Sequence, residues 1–250
     1  MNQKKIDAHA HFGHSFNAWS DKYPTLDEIM RMYDEYGITK SCISHWLIVY
    51  DPAEGNKRVF EAVRRFPDRL IGFAVVAPRC GKSAVDELDR CINDYGMKGL
   101  KAHPSAHEFY ADSKLMDPIM ERAVKYDVPI LLHSDPGKWA NPRLIGNLAG
   151  RFPEAKILIG HMSGADWLEA IWVAKEHKNV YLDTTNMVTE FLALATAVEE
   201  CGDDRIVWGT DLPGLLIGAE LAKVTHARIP ESSKEKILYE NMARVLDLKT

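Results

Sequence analysis

The stretch DAHAHF, Asp7–Phe12, sets two histidines one residue apart in a short run interleaved with alanine. A strand sends successive side chains to opposite faces. Read as a strand, Ile6, Ala8 and Ala10 share one face, and Asp7, His9 and His11 share the other. The small apolar set suits packing beneath helices. The polar set must then face an interior, with His11 nearest the C-terminal end. The pair is either a sheet pattern that happens to use histidine or half of a metal site, and the rest of the chain has to decide.

Seven further runs have the same strand character: KSCISHWLIV, LIGFAVVAP, MKGLKAHP, VPILLHS, AKILIGHM, NVYLDTT and RIVWGTD. With the first they make eight, spaced by about 30 residues, the size of one βαβ unit. Helical patterns fill the gaps. Thr25–Tyr36 opens on a capping box, Thr25 with Glu28, and stops at Gly37. Ser83–Tyr95 repeats that design, with Ser83 and Asp86 at the start and Gly96 at the end. Lys57–Phe66, Pro118–Tyr126, Pro142–Phe152, Ala165–His177, Thr189–Cys201, Leu215–Thr225 and Ser232–Leu246 follow. Eight alternating units in 250 residues predict a single-domain α/β chain, a (β/α)8 TIM barrel over 1–250. A doubly wound open sheet is the other candidate. The absence of G-x-G-x-x-G after the first strand weakens its dinucleotide-binding form.

Composition excludes several classes. The formal charge is -5 and the basic residues are dispersed, which argues against a nucleic-acid or anionic-membrane partner. No apolar run reaches bilayer length, and no apolar segment follows the basic N-terminus. Cys42, Cys80, Cys91 and Cys201 have no ligand-type spacing and read as reduced thiols of a cytoplasmic protein. A core of this size needs no disulfides. The expected partner is a small-molecule substrate, with a homodimer possible.

In a barrel the chemistry sits at the C-terminal ends of the strands. There VPILLHS places His133, AKILIGHM places His161 and RIVWGTD places Asp211. With His9 and His11 these make five metal-capable side chains on one rim, imidazole and carboxylate without thiolate, a set suited to Zn2+, Mn2+ or Fe2+. His161 is either a ligand or an outer base. Lys101 and His103, both inward on the fourth strand, are candidate substrate-binding residues. His14, His45 and His107 read as hydrogen-bonded rim residues, and Asp183 as a neighbour of the site. Asp7 either orients a ligand histidine or is structural. Trp139 is a candidate wall for a ring-shaped ligand, or a packing residue.

At this point the chain resembles the amidohydrolase superfamily, and within it the branch of aminocarboxymuconate-semialdehyde and resorcylate-type decarboxylases. DAHAHF, GLKAHP, ILLHSD, RFPEAKILIGHMSG, NVYLDTT, VWGTDLP and ILYENMARVL carry the likeness across nearly the whole chain. The resemblance implies one divalent ion on His9, His11, His133 and Asp211, Zn2+ first and Mn2+ next, with His161 facing the water or substrate. It also implies catalytic roles for Asp211 and His161. Lys101 departs from that pattern. If carboxylated, as in binuclear superfamily members, it would bridge to a second ion, with His161 joining.

An ion so held brings the pKa of water from about 15.7 towards about 7. Asp211 would accept the proton and pass it on, while His161 would orient the nucleophile or stabilise an oxyanion. The leading expectation is therefore a metal-dependent hydrolase of a C–N or C–O bond in a small polar molecule, such as a cyclic amide, lactone or ester. The alternative is non-oxidative decarboxylation of an unsaturated or aromatic acid on the same site. A non-catalytic binding barrel ranks third, because the ligand-type residues sit at the mouth rather than in a closed cluster.

Overall fold

The computed structural model describes residues 4–13, 23–185 and 192–248. Eight strands lie in sequence order, each parallel to the next: β1 Lys5–Phe12, β2 Ile38–His45, β3 Leu70–Val75, β4 Gly99–Ala102, β5 Ile130–Leu132, β6 Ile157–Ile159, β7 Val180–Asp183 and β8 Ile206–Val207. The seam between β8 and β1 is closed by main-chain bonds. Ala8 N donates to Trp208 O at 2.9 Å, Asp211 N to His9 O at 2.7 Å and His11 N to Leu212 O at 2.7 Å. The fold is the (β/α)8 barrel that the strand count predicts.

Eight helices alternate with the strands: α1 Leu26–Tyr36, α2 Pro52–Arg65, α3 Lys82–Asn93, α4 Asp117–Lys125, α5 Pro142–Arg151, α6 Trp167–Glu176, α7 Ala193–Cys201 and α8 Ile217–Thr225. A helical run of Glu231–Glu235, Lys236–Glu240 and Asn241–Val245 follows them. The capping box of α1 forms as read, and Gly37 ends that helix at φ 67°. Three expectations shift. Helix α2 begins at Pro52, earlier than Lys57, because the Asp51 side chain accepts from Glu54 N. Ser83 does not cap α3; Gly81 holds that position and the Ser83 hydroxyl donates to Cys80 O. The apolar run after His45 is not strand: Trp46–Val49 winds into a 3-10 turn whose first free amide, Leu47 N, donates to His45 Nδ1. His14 and the start of the Thr189–Cys201 helix lie outside the described residues.

Strict alternation fails in β1, and the failure positions the site. Asp7 pairs with Ser41 and Ala10 with Ile43, so three steps on β1 face two on β2. This bulge reverses the inside–outside phase. Ile6 and Ala8 join the cluster of Phe73, Leu131, Leu158 and Val207, whereas Ala10 joins the helix-side core with Ile29 and Tyr33. Asp7 therefore does not share a face with His9 and His11. It reaches Tyr33 of α1, whose hydroxyl donates to it at 3.2 Å.

The core has two parts. Helix faces pack on outward strand residues such as Leu100, Ile130, Ile157 and Leu182. Inside, the cluster around Phe73, Leu131 and Leu158 also includes Met242, Ala243 and Val245 of the closing helical run. Among the described residues no helix is long and apolar enough to cross a membrane.

Candidate metal centre

His9 is fixed from behind. Its Nδ1 lies 2.7 Å from Asp183 Oδ2, at the end of β7, and both residues are buried. An ionised carboxylate only accepts, so the proton is on Nδ1 and the Nε2 lone pair faces the barrel mouth. His11 has Nδ1 2.8 Å from Ser44 Oγ and its ring against Trp46, centroids 4.2 Å apart. His11 Nε2 stands 3.3 Å from His9 Nε2 and 3.3 Å from Asp211 Oδ1. Asp211 leaves β8 with φ 52°, held by its bond to His9 O, and its Oδ1 lies 3.5 Å from His9 Nε2. Gly209 permits this approach: a Cβ there would lie 2.8 Å from His9 Cβ and 2.8 Å from Thr185 Cγ2.

His161 follows β6 in an unusual turn. His161, Met162, Ser163 and Gly164 all have left-handed φ, 60°, 42°, 63° and 58°. For the three non-glycine residues such a conformation costs on the order of 1–3 kcal/mol each, and clusters of this kind mark functional turns. The turn buries Met162 and swings the His161 ring back over the barrel. His161 Nδ1 is 2.9 Å from Thr185 Oγ1, and Nε2 is 3.1 Å from His133 Nδ1. His133 Nε2 faces Asp135 Oδ2 at 3.4 Å. His103 stacks on His133, centroids 3.8 Å apart and planes 12° apart, with its Nδ1 accepting from Ala106 N. Lys101, fully buried, places Nζ 2.7 Å from His9 Nε2.

Burial and charge set the protonation states. Burial would raise Asp183, but the imidazoles of His9 and His161 and the Thr185 hydroxyl outweigh it and hold the carboxyl at about 2. Burial also opposes ionisation of Asp211, and His11, His9 and His161 overcome it, keeping the group well below the usual carboxylate range. Burial drives His11 down to about 3 and His161, His103 and His133 below the ordinary imidazole value. It brings Lys101 down to about 8, with Asp211 and Asp183 holding it partly up. Asp7 is the reverse case, raised to about 7 by burial despite bonds from Thr210, His9 N and Tyr33.

The donor set fits a divalent cation. His9, His161 and Asp211 offer ligand-type atoms that all lie within 4.8 Å of one another. His11 stands beside this group. His133 touches it through His161. If Asp135 takes the Nε2 proton of His133 and Thr185 the Nδ1 proton of His161, two bare nitrogens face each other at 3.1 Å. Such a pair requires a shared proton or a cation between the rings. No thiolate takes part, which suits first-row ions that accept imidazole and carboxylate.

All five rim residues named from sequence thus meet at one end of the barrel, with Lys101 and His103. Asp7 touches no histidine ring: its carboxylate accepts from the main-chain N–H of His9 and from Thr210 N and Oγ1, and bonds β1 to the turn before Asp211. Trp139 packs against Tyr110, ring centroids 4.9 Å apart, and under Lys138, whose Nζ lies 4.3 Å from the indole centroid. Arg79 is occupied by the carbonyls of His107 and Glu108. Ser44, Trp46, Asp135 and Thr185 were not singled out. Their one signal is position: each is a polar or aromatic residue within three places of a strand end on the active rim.

The amidohydrolase family profile matches residues 6–248, and the chain belongs to that family. Among its curated relatives, the gamma-resorcylate decarboxylase of Polaromonas sp. (strain JS666) is 24% identical and covers 89% of this chain and 87% of its own. The 2-amino-3-carboxymuconate-6-semialdehyde decarboxylase of Dictyostelium discoideum is 22% identical over 77% of this chain and 65% of its own. A solved dihydroxybenzoic acid decarboxylase from Polaromonas sp. JS666, with bound manganese and 2-nitroresorcinol, superposes with a TM-score of 0.78 at 23% identity, covering 98% and 97%. These relatives are decarboxylases. Hydrolysis, the leading expectation, has support only at the level of the wider family.

Proposed function

We propose that the chain is a metal-dependent lyase that decarboxylates an unsaturated or aromatic acid. The observation that carries this reading is the buried amine of Lys101, 2.7 Å from His9 Nε2 and near enough to Asp211 and Asp183 to feel their charge. A mouth with this cation next to a metal position offers two positive centres to an anion. A carboxylate uses both, and a neutral amide or lactone does not need the second. The activities named for the relatives point the same way.

When bound, a divalent ion supplies Lewis-acid polarisation of the acid's oxygen atoms. His9, His11, His133 and Asp211 are the residues we assign to hold it, with His161 adjoining. Mn2+ is the first ion to test, after the manganese-bound relative, and Zn2+ the second. Lys101 Nζ would pair with the carboxylate and orient the acid. The C–C bond breaks, CO2 departs and the carbon that keeps the electron pair takes one proton. Asp211 and His161, whose ligand-type atoms lie within 4.8 Å of each other, are the groups in position to take that proton from water and pass it on. His103, stacked behind His133, closes the same wall and adds a further substrate contact.

The test is CO2 release. Protein reconstituted with Mn2+ or Zn2+ is incubated with a panel of hydroxybenzoic and carboxymuconic acids, with evolved CO2 trapped and the product acid or phenol measured. Release that disappears with chelator and in Asp211→Asn supports the assignment. Hydrolysis of amides, lactones or esters with no CO2 from any acid overturns it in favour of the hydrolase.

A further inference from the structure

Thr185 lies just beyond β7 and is fully buried, and nothing in the assignment above uses it. Its hydroxyl has one proton. The nearest acceptor is Asp183 Oδ2 at 2.6 Å, an ionised oxygen that also takes His9 Nδ1–H and His161 N–H. With its proton committed there, Thr185 Oγ1 can only accept from His161 Nδ1, 2.9 Å away. We propose that Thr185 is the positioning residue that locks His161 in the Nδ1–H tautomer, so that a bare Nε2 faces the metal cluster.

The tautomer of His161 goes beyond the lyase assignment and rests on it only for the kcat readout. It assigns His161 a definite role at rest. A neutral His161 cannot donate from Nε2, so it does not stabilise an oxyanion as a hydrogen-bond donor. It acts as an acceptor, taking a proton or holding a cation. One carboxylate thus sets two rings: Asp183 fixes His9 directly and His161 through the threonine. The left-handed turn at His161–Gly164 matters for the same reason, since it brings His161 N to 3.2 Å from Asp183 Oδ2 while the ring reaches Thr185.

The test reads the tautomer itself, in metal-free protein labelled with 15N-histidine, His161 being assigned by the signal lost in His161→Gln. The wild type is expected to show the proton of His161 on Nδ1, with Nε2 an acceptor towards His133 Nδ1, 3.1 Å away. Thr185→Val, which keeps the side-chain shape, is expected to shift that population towards Nε2–H, and Thr185→Ser to restore it. In the reconstituted enzyme Thr185→Val should lower Mn2+ affinity or kcat by about 10- to 100-fold, as loss of an outer hydrogen bond to a site histidine does, with KM little changed. An Nε2–H His161 in the wild type overturns the proposal without recourse to any variant. So does an unchanged tautomer in a folded Thr185→Val. A protein with Nδ1–H at His161 that releases CO2 from no acid supports this inference and sinks only the lyase reading.

Discussion

Asp183 Oδ2 lies 2.7 Å from His9 Nδ1, and this contact determines which end of the His9 ring faces the barrel mouth. An amide at position 183 could still accept, but it carries no charge to strengthen the imidazole as a ligand. Asp183→Asn is therefore expected to weaken Mn2+ binding by about 10- to 100-fold. Calorimetric titration of the metal-free protein measures it, and an unchanged affinity would remove His9 from the ligand set.

The buried imidazoles make the metal-free protein acid-sensitive. Burial holds His11 at about 3 in the folded chain, against 6.5 for the free side chain, with Lys101 adding to the depression and Asp211 opposing it. Below the unfolded value the unfolded state binds the proton first. The stability due to the neutral ring is complete above about pH 6.5 and is lost as pH falls towards about 3. The slope for one such group approaches roughly 1.4 kcal/mol per pH unit. Urea midpoints between pH 7 and 5 should fall more steeply for the wild type than for His11→Gln, and parallel curves would contradict the assignment.

Gly209 is required by close approach rather than by its φ. A methyl there would meet His9 Cβ and Thr185 Cγ2 at 2.8 Å and Asp183 Oδ1 at 3.0 Å, all parts of the site framework. Gly209→Ala should destabilise the chain by about 1–3 kcal/mol, the usual cost of overpacking. It should also lower metal content after purification, because relief comes through movement of His9. A folded variant with wild-type stability and full metal occupancy would show that the framework is softer than these distances imply.

How much of this was legible in the sequence depends on the range of the interaction. Strand runs, the α1 capping box and the rim positions of His133, His161 and Asp211 follow from local pattern, and the barrel places them as read. The bulge in β1 is not local. It follows from pairing Asp7 with Ser41 and Ala10 with Ile43, so alternation assigned Asp7 to the wrong face. Thr185 and Asp135 were equally hidden. Their importance lies in reaching His161 and His133 across neighbouring loops, which no spacing along the chain encodes. The Ser83 cap failed because Gly81 allowed α3 to begin one residue before it.

Asp7 provides a test of the barrel seam independent of any ion. Its carboxylate accepts from Thr210 N at 2.9 Å, Thr210 Oγ1 at 2.6 Å, His9 N at 3.1 Å and Tyr33 Oη at 3.2 Å. Asp7→Asn keeps the size but turns an NH2 towards one pair of donors. Leaving buried donors unsatisfied costs about 1–3 kcal/mol each. A drop of that order is expected in chemical denaturation at pH 7. Metal affinity should fall with it, since Thr210 leads directly into Asp211.

Lys101 and a bound ion compete for one lone pair. Nζ now lies 2.7 Å from His9 Nε2, so the amine must move when that nitrogen takes a metal, and a carboxylate substrate is its natural new partner. Lys101→Met removes the competitor and the anion contact together. Metal affinity should be retained or rise, while KM for the acid should rise about tenfold or more, from loss of a charged hydrogen bond worth roughly 1.5–3 kcal/mol. Elemental analysis is expected to give one ion per chain. Two ions per chain, lost in Lys101→Met and dependent on bicarbonate during reconstitution, would instead make Lys101 a carboxylated bridge. The substrate's carboxylate would then need another cation.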